Sequence, residues 1–150
     1  MARITAKDRD SIASAAAKMT RDVAIDLFTQ RRSPIIIPGV VPCESCEAAE
    51  EVLSELPPLV PRLTLRVLDI VAEKSRADSF GITRVPTVTF NEALNGRIRF
   101  VGAPLGYEFS SFIGTVLEAG GAVTIAAETS RAKLTSVAKP VALKVFTTPT

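Results

Sequence analysis

GVVPCESCEAAEEVLSEL, Gly39 to Leu56, holds the only two cysteines of the chain, Cys43 and Cys46, in C-x-x-C spacing. Taken alone, the pair fits three readings: a redox dithiol, half of a metal site, or two small apolar residues that happen to be neighbours. The stretch that follows is helical in pattern. Cys46, Ala49, Leu53 and Leu56 share one face, and Glu47, Glu50, Glu51 and Ser54 lie on the other. The segment PPLVP ends it.

Upstream, DVAIDLFTQ alternates Val23, Ile25 and Leu27 against Asp22, Ala24, Asp26 and Phe28, a period of two that predicts a strand ending near Thr29. Between that strand and the cysteines, RRSPIIIPGVVP (Arg31 to Pro42) carries Pro34, Pro38 and Pro42, which forbid a helix interior and a central strand. It reads as an apolar loop. It either shapes access to Cys43, as a cover or as part of an apolar binding surface, or packs on its own domain. Before the strand, Asp8 to Met19 places Ile12, Ala15, Ala16 and Met19 at helical spacing, a packing helix.

Downstream, Leu63 to Ile70 is nearly all apolar and reads as a buried strand, parallel to the first. Ala72 to Gly81 reads as a short helix stopped by Gly81. Val85 to Phe90 and Arg97 to Gly102 read as strands joined through the turn signal Asn95-Gly96. Gly106 to Gly120 reads as a helix with Tyr107, Phe109, Phe112, Ile113 and Val116 on its apolar face. The order is strand, helix, strand, helix, strand, strand, helix. Residues 1–20 form an N-terminal packing helix, 21–120 the main α/β domain, and 121–150 a polar helical segment followed by one more strand, PVALKVFTTPT.

Composition narrows the chemistry. A chain of 150 residues with 47% apolar and 23% charged residues suits one domain with a real core. A net charge of +2 without a basic cluster beside aromatics gives no case for nucleic acid. No apolar run approaches the roughly 20 residues that span a bilayer. The charged N-terminus lacks the apolar block of a secretory signal, so a cytoplasmic protein is expected. There is no histidine, which removes His-based acid–base catalysis, Ser-His and Cys-His pairs and His-ligated metals. Thiols and carboxylates remain.

A C-x-x-C that follows a strand and opens a helix has a chemical logic. Cys43 is expected in the first turn, where free N–H groups and the helix dipole stabilise a thiolate, the species that attacks disulfides. Cys46, one turn deeper on the apolar face, is expected to be less exposed and to resolve the mixed disulfide.

This architecture resembles the thioredoxin superfamily, a central mixed β-sheet flanked by helices, here with an extra N-terminal helix. The second matching signature is Arg84-Val85-Pro86-Thr87. The resemblance implies a cis-proline at Pro86 packed against the C-x-x-C. It also implies that the backbone of Val85 pairs with an extended substrate segment, a form of strand addition. LFT…CESC, LTLRVLDI, SFGITRVPT and FVGAPLGYEFSSFI look like the N-terminal unit of the two-unit, glutaredoxin-like protein disulfide oxidoreductases of thermophiles. On that resemblance PVALKVFTTPT is the first strand of a second unit, and the sequence stops before a second C-x-x-C. An unpaired apolar strand invites association, so a homodimer through it is an expectation.

The resemblance implies a protein disulfide reductase or isomerase acting on disulfide-containing proteins, with no cofactor, and supplied by an upstream thiol or NADPH-dependent reductase. The motif departs from better-known relatives. Glu44-Ser45 stands between the cysteines, and Pro42 takes the place of the aromatic residue before them. A carboxylate beside Cys43 opposes thiolate formation and the helix N-terminus favours it, which predicts a moderately reducing or isomerase-like couple. Arg84 offers charge to a substrate or thiolate, or is an ordinary surface arginine. Asp26 is a candidate for the buried acid of thioredoxin, but one residue out of register, and a solvated or edge carboxylate is the expectation.

Two alternatives come from other classes. One is a metal or iron–sulfur site; structural zinc takes four ligands and one C-x-x-C supplies two, so a dimer is required. The other is a thioredoxin-fold docking or electron-relay module, like the N-terminal domain of the alkyl hydroperoxide reductase flavoprotein, where the first unit has lost the cysteines retained here.

Overall fold

The computed structural model describes residues 4–31, 42–90, 96–124 and 126–147. The elements are α1 (Ala6–Ala16), β1 (Val23–Thr29), α2 (Cys46–Ser54), β2 (Leu63–Asp69), α3 (Lys74–Ser79), β3 (Thr87–Phe90), β4 (Arg99–Val101), α4 (Tyr107–Ala119) and α5 (Glu128–Leu134). Their order is the one the sequence predicts up to α4. The turn signal at Asn95 lies outside the described residues.

The strands form one mixed sheet in the order β2-β1-β3-β4. β1 runs parallel to β2, from Val23 opposite Leu63 to Thr29 opposite Asp69, and antiparallel to β3. Sitting between two neighbours, β1 buries all seven residues. Its side chains alternate between two cores, as a strand must. Val23, Ile25 and Leu27 meet Ala49, Val52 and Leu53 of α2 and Phe112, Ile113 and Val116 of α4. Phe28, on the other face, meets Ala77 and Ile82. The larger core is finished by a ring cluster in which Phe112 lies 5.8 Å from Phe90 and 5.1 Å from Phe100. Burying side chains of this size stabilises the fold by about 2 kcal/mol each.

β2 corrects an expectation. It is parallel to β1, but it is an edge strand: Leu63 is buried, while Thr64, Arg66 and Val67 are exposed. With a neighbour on one side only among the described residues, an apolar strand need not be covered on both faces.

The N-terminal helix belongs to the same core. Ile4, Ile12, Ala16 and Met19 join it. Thr5 caps α1 by accepting the Asp8 N–H at 3.2 Å, and Arg9 pairs with Glu55 beyond the end of α2. The seam with α4 requires a glycine: Met19 lies where a Cβ on Gly120 would sit. The Thr20 and Arg21 N–H groups both donate to the Gly120 carbonyl, at 2.8 and 3.0 Å. Gly96, with φ +69°, is a second required glycine, because an added Cβ would come within 2.7 Å of the Phe80 ring.

The C-terminal segment corrects a second expectation. α5 forms but buries no residue. Residues 141–147 are not a strand, and Val141, Leu143, Val145 and Phe146 stand 68–90% exposed. A strand is held by a hydrogen-bonded neighbour, and among the described residues none pairs with this segment. The Thr147 hydroxyl reaches the Glu108 carboxylate.

Candidate functional site

Cys43 and Cys46 are joined in a disulfide with their Cα atoms 5.5 Å apart. β1 delivers the chain to this end of the sheet and α2 carries it away. The face of α2 read from the sequence is the buried one: Cys46 is 3% exposed, and Ala49, Leu53 and Leu56 are fully buried. Cys43 is half-buried. One detail is corrected. α2 starts at Cys46 with Ser45 as its cap, so Cys43 stands ahead of the first turn. Ser45 makes no side-chain capping hydrogen bond, and the helical ladder opens with the Ala49 N–H donating to the Ser45 carbonyl at 3.0 Å. Pro42, Glu44 and Ser45 are exposed around the pair.

The disulfide opens into a cleft of about 720 Å³. Thr29, Gln30 and Arg31 from the end of β1 line one side, and Glu47, Glu50, Glu51 and Ser54 from the polar face of α2 line the other. Sequence reasoning placed those glutamates on a solvated face without connecting them to the dithiol.

Asp69, which sequence reasoning missed, organises the rim. Its Oδ2 accepts the Arg31 N–H at 3.1 Å, and its Oδ1 accepts the N–H groups of Val71 and Ala72 at 2.9 and 3.0 Å. Burial pushes its carboxyl up, but the donated hydrogen bonds from Ala72, Arg31 and Val71 and the Arg31 charge outweigh that and hold it below the usual carboxylate range. An Asp at a strand end, ahead of chain that must turn, was the available signal.

The Val85–Pro86 peptide is cis. Pro86 is buried, Val85 is half-buried against the smaller core, and Arg84 is exposed. The β1–β3 register runs to Phe28 opposite Thr87. One further step along it sets Pro86 across from Thr29, a cleft residue. Arg84, Val85 and Pro86 are not themselves among the residues lining the cleft.

Asp26 corrects the expectation of a solvated carboxylate. Its side chain is 0% exposed. Arg66 Nε donates to Oδ1 at 2.6 Å, and Arg76 donates to Oδ2 through Nε at 2.8 Å and Nη2 at 2.6 Å. Arg76 also lies over the Phe80 ring at 5.6 Å. The acid therefore faces α3, on the side of the sheet opposite α2. It closes an Arg–Asp–Arg cluster and does not lie under the dithiol.

Among the described residues, no group of three or more Cys, Asp or Glu is gathered in a way that could hold a metal ion. No described helix is long and apolar enough to cross a membrane.

No protein-family model and no curated protein matches the chain. Solved structures do. A protein disulfide oxidoreductase from Aeropyrum pernix K1 superposes with a TM-score of 0.71 at 20% identity, over 91% of this chain and 56% of that one. The alkylhydroperoxide reductase AhpF of Enterococcus faecalis gives 0.72 at 20% identity, over 89% and 60%. The NTD_N/C domain of that reductase gives 0.70 at 20% identity, over 87% and 59%. The chain thus spans 56–60% of the length of these structures. The likeness defines a thioredoxin-like α/β fold. Within that fold, this chain places a C-x-x-C disulfide beside a cleft lined by Glu47, Glu50 and Glu51.

Proposed function

We propose that the chain is a thiol–disulfide oxidoreductase of protein disulfides, a reductase or isomerase in character. The observation that carries the reading is the Cys43–Cys46 bond at the start of α2, with one sulfur-bearing residue half-buried in a cleft and the other buried behind it. In the reduced protein the Cys43 thiolate attacks one sulfur of a substrate disulfide. A Cys43–substrate bond forms, the substrate bond breaks, and the departing sulfur leaves as a thiolate that takes a proton from water. The Cys46 thiolate then attacks Cys43 Sγ, closes the internal disulfide and releases the second substrate thiolate. Two electrons pass from the dithiol to the substrate. An upstream thiol or NADPH-dependent reductase returns them.

Val85 and Pro86 are assigned to substrate binding by strand addition. Among the described residues, no backbone hydrogen bond uses the Val85 N–H or C=O, which supports this role. Arg84, exposed next to them, is assigned to substrate charge. Glu44, Ser45 and Pro42 are assigned to tuning the couple, with the Glu44 charge set against the helix N-terminus. A cytoplasmic location belongs to the same reading, as does self-association of two copies through residues 141–147. The exposed apolar side chains of that segment support association, and light scattering at high concentration tests it.

The test is catalysed reduction of insulin by the wild type, Cys43→Ser and Cys46→Ser. Loss of turnover in the first variant and trapped mixed disulfides in the second are expected. Equal activity in all three proteins overturns the reading. A docking or relay module gives no turnover with insulin in any of them.

A further inference from the structure

The turn from Arg84 to Thr87 spends its own hydrogen-bonding groups unevenly. The Thr87 hydroxyl donates to the Arg84 carbonyl at 2.7 Å, and the Gly102 N–H donates to the Pro86 carbonyl at 2.8 Å. The carbonyls on both sides of Val85 are therefore engaged within the chain, while among the described residues the N–H and C=O of Val85 itself are not. A donor and an acceptor on one residue are what an antiparallel partner strand takes, because a hydrogen-bonded pair exchanges both bonds. Thr87 is placed to hold this arrangement. It is buried, and its backbone is pinned between Phe28 of β1 and Val101 of β4. The Val85 side chain packs on the smaller core, which leaves its backbone as the part to be oriented.

We infer that Thr87 is a positioning residue for substrate: its hydroxyl clips the Arg84 carbonyl back onto β3, so that Val85 presents its backbone donor and acceptor to an extended segment of the substrate. This rests on the proposed oxidoreductase reading and deepens its assignment of Val85. The favoured substrates are disulfides carried in extended peptide, which can pair through the backbone. A small disulfide with no peptide backbone makes no use of the clip. Thr87 does not line the cleft, so losing its hydroxyl leaves the exchange at Cys43 unchanged.

Two disulfides and two variants test it. The wild type, Thr87→Val (hydroxyl removed, shape kept) and Thr87→Ser (hydroxyl kept) are reduced, freed of reductant and mixed with insulin or with 2-hydroxyethyl disulfide. Samples are quenched with a maleimide, and the loss of free Cys43 and Cys46 is followed by mass spectrometry. The readout is the rate constant with insulin divided by that with the small disulfide. Thr87→Val is expected to lower this ratio about three- to tenfold, the worth of one hydrogen bond, and Thr87→Ser to keep it within about twofold of the wild type. The small disulfide also serves as the control for folding, and Thr87→Ala replaces Thr87→Val if that variant does not fold. A ratio unmoved in Thr87→Val, an equal fall in both rates, or a Thr87→Ser variant that behaves like Thr87→Val overturns the inference and leaves the oxidoreductase reading standing. Failure of the wild type to react with either disulfide overturns both.

Discussion

Asp69 at the end of β2 holds the Arg31 N–H at 3.1 Å, across 38 residues of chain. The same carboxylate receives the Val71 and Ala72 N–H groups. One side chain therefore fixes the chain as it leaves β1 toward the cysteines and as it leaves β2 toward α3. Replacing it by alanine removes three acceptor contacts at a partly exposed site. Asp69→Ala is expected to cost about 1–3 kcal/mol in urea denaturation at neutral pH. No measurable loss would mean that these hydrogen bonds are replaced by water without penalty.

The charge on Asp69 adds a pH dependence. Its folded pKa is lowered from an ordinary value of 3.8. Its contribution is therefore fully present above that value and lost as pH falls through the depressed folded value. The stability difference between wild type and Asp69→Asn is expected to be constant near neutrality and to shrink in the acid range below about pH 4. A difference that widens on acidification contradicts the sign.

In the Asp26 cluster the two arginines are not equivalent. Arg76 makes two of the three hydrogen bonds and stacks on Phe80, whereas Arg66 makes one. Arg76→Ala is expected to destabilise by about 2–3 kcal/mol and Arg66→Ala by about 1–2 kcal/mol. Urea denaturation of both variants checks the order, and the reverse order would contradict the geometry.

Gly96→Ala puts a methyl group against the Phe80 ring at a backbone conformation that L residues rarely adopt. A loss of about 1–3 kcal/mol is expected from strain and crowding together. The Gly96→Ala/Phe80→Ala pair separates them, because removing the ring leaves only the conformational part.

Once the disulfide is reduced, the two thiols are expected to differ in reactivity. Cys43 is half-buried and Cys46 is 3% exposed. Iodoacetamide should label Cys43 about tenfold or more faster, as read by peptide mass mapping. Comparable rates would remove the assignment of attacking and resolving roles.

Glu44 beside the attacking sulfur is expected to keep the couple from strong oxidant character. A measured reduction potential near the strongly oxidising extreme, about −120 mV, would rule that out.

The local parts of this fold are legible in sequence. Cys46, Ala49, Leu53 and Leu56 declare the buried face of α2 by spacing alone, and Val23, Ile25 and Leu27 declare one face of β1. The cis peptide at Pro86 follows from a resemblance carried by four residues. What could not be read was non-local. Asp26 looked solvated because its partner Arg76 is 50 residues away. β2 looked doubly buried because apolar residues do not announce which strand ends a sheet. The apolar alternation of residues 141–147 satisfies a strand pattern, but a pattern does not supply the neighbour that makes a strand. The glutamates of α2 were correctly assigned to the polar face, yet only the return of β1 beside them turns that face into the wall of a cleft.

The Gly120 carbonyl, which takes the N–H groups of both Thr20 and Arg21, has a mechanical consequence. The segment from Arg21 to Gly120 begins and ends at one corner of the molecule, so the flanking parts of the chain leave it side by side. Tension applied between those flanks would be shared in parallel by the two hydrogen bonds and the Met19 contact, together with the core contacts of Ile12 and Ala16. The clasp thus ties the chain ahead of β1 to the end of α4, closing the segment that carries the dithiol into a loop.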